Sequence, residues 1–319
     1  MPQAGRVRPA SHASAGMVWI PGGRFQMGSD EHYPEEAPAH SAVVDGFWMD
    51  RYTVTNAEFR RFVELTGYIT VTESPPDAAD YPGAKAEMLV PASVVFRKPS
   101  HRVDLGNHFN WWDYVPGADW RHPEGPGSSL KDRAKHPVVH IAYDDAIAYA
   151  QWAGKELPTE AEWEFAARGG LDGTTYAWGE EFTPRARHMA NTWQGEFPWQ
   201  NLVTDGWERT APVGSYPPNG YGLYDMIGNV WELTTDWYAP HHEPAQSCCG
   251  SVAREDARER SYDPQTPHIT IPRRVIKGGS FLCAPNYCRR YRPAARMAQA
   301  VDTSACHVSF RLILRPPRS

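Results

Sequence analysis

The sequence predicts one domain of the α+β class, with few long elements and much ordered but irregular backbone. Three observations carry that reading. Paired helix start and stop signals occur at three places only. Strand-like runs are short and scattered. The chain also combines 26 glycines and 29 prolines with 13 tryptophans, 15 tyrosines and 11 phenylalanines. Turn residues mixed with bulky core residues fit irregular backbone folded on a compact interior, and a disordered chain would lack the tryptophans. At 319 residues the chain can bury one large core. No repeat or break in composition marks a second domain. Residues 1–16 read as a disordered lead, 17–315 as the domain and 316–319 as a tail.

The elements follow in order. MVWIPGGRFQMGS (17–29) reads as a hairpin, with strands at Val18–Ile20 and Phe25–Met27 reversing at Pro21-Gly22-Gly23. HSAVVDGFWMDRYTVT continues in strand register. Thr55 with Glu58 is a capping box opening a helix that turns Phe59, Phe62 and Val63 inward and stops at Gly67. A second helix spans Asp144–Ala153, with Ile147, Tyr149, Ala150 and Trp152 inward and Gly154 as its stop. A third is capped by Thr159 and Glu162, carries Trp163, Phe165 and Ala166, and ends at Gly169. Residues 70–135, punctuated by prolines, and 171–225 read as long ordered loops. Residues 239–272 read as an exposed insertion with local helix at 252–260. RVIKGGSF and SFRLILR close the chain as strands.

Formal net charge is −6, which gives no reason to expect a nucleic-acid partner. No apolar run approaches the roughly 20 residues that span a bilayer, and the N-terminus has no apolar segment of a secretory signal. Five cysteines, Cys248, Cys249, Cys283, Cys288 and Cys306, are an odd and sparse set and not a disulfide framework, so a reducing, cytoplasmic setting is expected.

The chemistry concentrates in GGSFLCAPNYCRRYRPAAR (278–296). Cys283 and Cys288 stand five apart, followed by Arg289, Arg290, Arg292 and Arg296. A turn of that length can bring two sulfurs together. Zinc needs four ligands and no second cysteine pair exists; His307, beside Cys306, would add only one. Two thiolates alone suit a soft monovalent ion such as Cu(I), and nearby arginines favour the thiolate. Spacing leaves a reactive or metal-binding pair and a packing or disulfide pair equally open. Cys248-Cys249 reads as a chance surface doublet and Cys306 as a buried small residue. The loops at 191–207 and 219–237 are rich in oxygen ligands: Asn191, Asp205, Asp225, Asn229 and Glu232. Neither matches an EF-hand, and taken alone they read as turn residues capping their own backbone. The common hydrolase and nucleotide-enzyme signatures are absent.

Taken together, MVWIPGGRFQMGS, WRHPEGP, LPTEAEWEFAARGG, ANTWQGEFPWQN, APVGSYPPNGYGLYDMIGNVWELTTDWY and KGGSFLCAPNYCRRYRPAAR resemble the formylglycine-generating enzyme family, the sulfatase-modifying factors, in its bacterial form. The resemblance covers about 17–315 in family order. It implies a single α+β domain, distantly like C-type lectins, with little regular secondary structure. It implies an oxidoreductase that acts on sulfur with O2 as acceptor. The substrate would be an unfolded sulfatase segment bearing Cys-x-Pro-x-Arg, whose cysteine becomes Cα-formylglycine with an external thiol as reductant. Cys283 and Cys288 would bind Cu(I) and the substrate thiolate would join them, with Ser280 and Trp231 lining the site. Two structural calcium ions are implied: one on Asn191 and Asp205 with backbone oxygens of Thr192 and Trp207, one on Asp225 and Glu232 with backbone oxygens of Gly228 and Val230. Asp77, Tyr287, Arg289, Ser304 and His307 match groove positions, and Thr53 stands where animal members carry a second acid. Family disulfides of the secretory pathway lack their cysteines here, at Ala150, Pro293 and Leu312 among others. A monomer is expected. Two rivals share the scaffold. A sulfoxide synthase of the ergothioneine type needs a helical iron-binding domain with His-x3-His-x-Glu, which is missing. A lectin-like binding module has no use for the thiol pair.

Overall fold

The computed structural model describes residues 14–242 and 254–317. Residues 1–13 of the expected lead, the Cys248-Cys249 doublet and the end of the tail lie outside the described residues.

Strands β1 (Met17–Ile20) and β2 (Gly23–Met27) are where the sequence places them, but they do not pair with each other. β2 pairs antiparallel with β3 (His40–Val44), and β1 with β4 (Phe47–Asp50). Ile20 faces Phe47 and Gly23 faces Val44, so both pairings share one unbroken register. The expected hairpin turn is therefore a bend within one long ribbon. Gly22 makes it possible: its φ is +71°, and a Cβ there would lie 2.6 Å from the carbonyl carbon of Asp45 in the opposite arm.

Helix α1 (Asn56–Thr66) has the full capping box of Thr55 and Glu58, and Gly67 ends it. Its Phe59 and Phe62 are buried against Trp120 and Tyr149, with ring centroids 5.2 and 5.4 Å apart. The stretch expected as one long loop contains a further hairpin, β5 (Ala92–Phe96) and β6 (Trp112–Pro116). Its 15-residue connection hid the pairing from a local reading. Helix α2 (Tyr143–Ala153) forms as expected except that Trp152 is 39% exposed. It meets Phe62 at the rim, with ring centroids 5.5 Å apart and planes tilted by 52°, and does not enter the core. Helix α3 (Glu160–Arg168) is capped by Thr159 and Glu162. Residues 171–225 are irregular, as expected.

β7 (Trp231–Trp237), inside a stretch that reads as loop, is the centre of a sheet. Past α4 (Arg254–Arg260), which falls in the expected local helix, come β8 (Arg273–Lys277), β9 (Arg296–Ala300) and β10 (Val308–Ser309). The order is β10-β7-β8-β9, with β10 parallel to β7. β11 (Ile313–Leu314) leaves this sheet to pair with β4 and closes the chain onto its start.

α3 packs on this sheet through charge as well as apolar surface. Glu160 and Glu164, one turn apart, face inward. The ammonium of Lys277, fully buried, donates to Glu164 (2.9 Å), Glu160 (3.3 Å) and the carbonyl of Ala294 (3.2 Å). Arg296 forks onto Glu160 at 2.8 and 2.9 Å, and Arg168 reaches Glu164 at 2.7 Å. Burial opposes ionisation of Glu164, but Lys277 and Arg168 outweigh it and hold the carboxyl at about 2. The network ties the segment 277–296, which carries the two thiols, to α3.

Candidate active site

The segment after β8 turns at Gly278 and Gly279, with φ of +93° and +74°. A Cβ on Gly279 would lie 2.8 Å from the carbonyl oxygen of Arg290. The start of the thiol segment is thus pressed directly against its end, and everything between is a closed loop. Within it, Cys283 N–H donates to Ser280 O (2.9 Å) and Cys288 N–H to Ala284 O (2.9 Å). Both side chains turn the same way. Their sulfurs stand 3.1 Å apart, unbonded and buried, at 2% and 8% exposure.

Ser280 supports this geometry from behind. Its N–H points at the Cys283 sulfur at 3.4 Å, and its hydroxyl accepts from Leu282 N–H at 3.3 Å. Trp231 is buried in the same core cluster as the two cysteines. Its N–H donates to His307 O at 2.8 Å, so β10 is held beside it.

The four arginines do not act together. Arg292 pairs through both terminal nitrogens with buried Glu36, and Arg296 belongs to Glu160. Arg289 is exposed. Arg290 alone reaches a thiol, with Nη1 4.0 Å from Cys288 Sγ. The Cys283 thiol, donating to Cys288, and after it the Arg290 charge draw the Cys288 thiol down to about 6. Burial, and then the neighbouring Cys288, push the Cys283 thiol well up.

Tyr287, 40% exposed, stacks on Phe197 at 4.5 Å and meets Trp111 edge-on at 5.3 Å. This aromatic wall continues through Phe96 at the end of β5. Beside β5, lined by Val94, lies a cavity of about 590 Å³. Pro76, Asp77, Tyr81, Met88, Tyr114 and Ser304 are among its lining residues. No lysine, arginine or histidine lines it, while Asp77, Asp80 and Asp302 do. The expected groove residues therefore divide. Asp77 and Ser304 share the cavity, Ser304 hydrogen-bonding Ser93 at 2.5 Å. Tyr287 and Arg289 belong to the thiol loop. His307 is buried and stacked on Trp112 at 4.9 Å; its Nδ1 has no partner and burial drives its pKa down to about 3. Thr53 is not in the cavity: it is 1% exposed and donates to Glu232 at 2.9 Å. Cys306 is buried as expected, its sulfur accepting from Phe96 N–H at 3.3 Å.

The oxygen-rich loops are held next to each other. Asn191 donates to Asn229 Oδ1 at 3.1 Å, and Gly228 crosses the Asn191 carbonyl so closely that a Cβ would lie 2.3 Å away. Asn191 Oδ1 and Asp225 Oδ1 are both buried without any hydrogen-bond partner. Such orphaned acceptors fit a hard cation. Burial pushes the Asp225 carboxyl up to about 6. Asp205 instead accepts from Trp207 N–H (3.0 Å) and the Tyr216 hydroxyl (3.2 Å), and the Thr192 carbonyl accepts from the Gln194 amide. Glu232 has both oxygens on Arg311. Among the described residues, no three or more His, Cys, Asp or Glu side chains gather as a metal site.

Residues 3–316 match the sulfatase-modifying factor enzyme 1-like domain. The chain belongs to the sulfatase-modifying factor family. It is 52% identical over 303 residues to the formylglycine-generating enzyme of Mycobacterium tuberculosis, covering 94% of this chain and 98% of that one. It is 46% identical over 313 residues to the formylglycine-generating enzyme of Thermomonospora curvata, covering 97% and 96%. PvdO of Pseudomonas aeruginosa shares the fold, with a TM-score of 0.60 at 23% identity over 93% of each chain. The expected α+β class is the one observed. What a reading of the sequence missed is Arg290 as the sulfur's partner, the residues that hold it, and the Tyr81–Asp302 side of the cavity. The signal for Arg290 is present only as one of four clustered arginines.

Proposed function

We propose that this protein is an oxidase that converts the cysteine of a Cys-x-Pro-x-Arg segment in an unfolded sulfatase chain to Cα-formylglycine. The single observation that carries the reading is the reduced Cys283–Cys288 pair, sulfurs 3.1 Å apart, in a chain of the sulfatase-modifying factor family. A non-catalytic member of the fold has no need to bury two facing thiols beside an arginine.

The balance of the reaction is simple. The substrate thiol-bearing methylene and O2, with two equivalents of an external thiol, give an aldehyde, hydrogen sulfide, water and one disulfide. A C–H and the C–S bond break and a C=O bond forms; the external thiols supply the two electrons the substrate does not. The chain's own groups serve this in stated ways. Cys283 and Cys288 present two facing sulfurs that, as thiolates, suit a soft metal. Bound there, a copper(I) ion would supply a soft centre for a third thiolate and an electron for O2. Ser280 fixes the Cys283 sulfur, and Trp231 with its apolar neighbours excludes bulk water from the pair. Tyr287 offers an exposed aromatic face to an extended peptide. The cavity beside β5, acidic and free of cations, suits a basic side chain with an apolar stem. Asn191 and Asp225 would each give an unpartnered oxygen to calcium; Glu232 would do so only by loosening its grip on Arg311.

We further propose that the protein acts as a monomer in the cytoplasm. Among the described residues no helix is long and apolar enough to cross a membrane. The deciding experiment incubates the protein with a Cys-x-Pro-x-Arg peptide, copper, O2 and dithiothreitol. It follows the mass change from thiol to aldehyde and traps the aldehyde with a hydroxylamine. Conversion that vanishes in C283S and C288S supports the reading. A peptide left intact by the copper-loaded wild type would overturn it.

A further inference from the structure

We propose that Arg290 is a positioning residue whose charge neutralises a soft-metal bis-thiolate at Cys283 and Cys288. This rests on the metal-binding reading of that pair. The argument begins with charge. A monovalent ion held by two thiolates is a net anion, and a third thiolate makes it more negative. Both cysteines are buried in the apolar core cluster that also holds Tyr291 and Trp231. An anion in such surroundings is strongly disfavoured unless a cation is fixed beside it.

Among the described residues, Arg290 is the one cation in hydrogen-bonding reach of either sulfur. Its position is imposed and not incidental. Glu35 takes Nε at 3.0 Å and Nη2 at 2.5 Å. The guanidinium lies over the Tyr33 ring at 3.8 Å, and the Tyr33 hydroxyl accepts from Arg289 N–H at 3.0 Å. Two of the three nitrogens are thereby committed, and Nη1 is left for Cys288. The guanidinium presents its donors in a rigid planar fork, so the carboxylate that takes Nε and Nη2 also fixes where Nη1 lies; a lysine ammonium is a compact point charge on a flexible stem and is not held in that geometry. The carbonyl of Arg290 also packs against Gly279, so the residue closes the thiol loop with its backbone and balances its charge with its side chain.

Charge and mere shape make different predictions, and metal valence separates them. Two thiolates with Ag(I) or Cu(I) form an anion; two thiolates with Cd(II) form a neutral complex. The experiment measures affinities of the reduced, full-length protein for each metal, anaerobically at fixed pH, by competition with a chromophoric chelator. In R290Q, Cu(I) and Ag(I) affinity should fall tenfold or more and Cd(II) affinity less than threefold, with R290K between wild type and R290Q for the monovalent ions. Equal losses for Ag(I) and Cd(II), in R290Q or in R290K, would show a structural role only and overturn the inference, as would no loss at all. Wild-type protein that takes Ag(I) and Cd(II) but no Cu(I) would sink the copper reading while leaving the role of Arg290 decided by the other two metals.

Discussion

Arg311 grips Glu232 with two hydrogen bonds of 2.7 Å, Nε to Oε2 and Nη2 to Oε1, and neither side chain meets solvent. Trp163 Nε1 (2.7 Å) and Thr53 Oγ1 (2.9 Å) complete the carboxylate's shell. The pair joins β7 to the segment leading into β11, so it ties the central sheet to the opening ribbon. Replacing Arg311 with Met would leave an uncompensated buried carboxylate and should destabilise by roughly 3–5 kcal/mol. Urea unfolding checks this; a change within about 1 kcal/mol would show that the pair is dispensable.

Gly279 is constrained twice, by its φ of +74° and by the Arg290 carbonyl. Gly279→Ala should cost about 1–3 kcal/mol and shift the 288–290 backbone away from Cys283. The informative readout is how quickly a mild oxidant joins Cys283 to Cys288 in the native protein. Slower closure than wild type is expected; an unchanged rate together with an unchanged Tm would contradict the close approach.

Asp236 is buried where its carboxyl is pushed up to about 6, first by burial and then by the charge of Glu160, although it accepts the Glu160 N–H at 2.6 Å. Its folded value lies above its unfolded one. The charged form therefore penalises the fold fully above about 6, and the penalty is relieved as pH falls toward about 4. Relative to Asp236→Asn, wild type should gain about 2 kcal/mol between about pH 7 and about pH 4. Glu164, held at about 2, acts in the opposite sense, since its stabilisation is lost as pH drops below about 4.5. Comparing the two Asp236 proteins at each pH cancels that shared term. Parallel stability curves for the pair would refute the assignment.

The orphaned oxygens of Asn191 and Asp225 lead to a calcium test. A calcium chelator should lower wild-type Tm by several degrees, because ion bound only to the folded state stabilises it by mass action. Asn191→Leu should start from a lower Tm and show a smaller response. A wild-type Tm indifferent to chelator, in protein shown by elemental analysis to have lost its calcium, would leave those oxygens without a cation.

Much of this protein is decided locally and so can be read from the chain. The capping boxes of Thr55 with Glu58 and Thr159 with Glu162 fix helix starts through side-chain bonds spanning three residues. The five-residue cysteine spacing allows a turn that brings two sulfurs together, although RVIKGGSF reads as strand throughout and the strand in fact ends at Lys277. Aromatic content foretells a dense core under irregular backbone. These signals act over a few residues, or through composition, and need no partner elsewhere.

Other features were settled only when distant segments met. β9 has no apolar alternation, and it is a strand because β8 supplies its hydrogen bonds. Pro21-Gly22-Gly23 looks like a reversal, yet it is a bend because Asp45 and Gly46 run alongside. Four clustered arginines are equivalent on paper; Glu36 and Glu160 claim two of them, and Glu35 with Tyr33 turns one toward sulfur. Residue type determines what a side chain is able to do. Which of its possible partners it finds depends on backbone pairings tens to hundreds of residues apart, and those exist only in the folded chain.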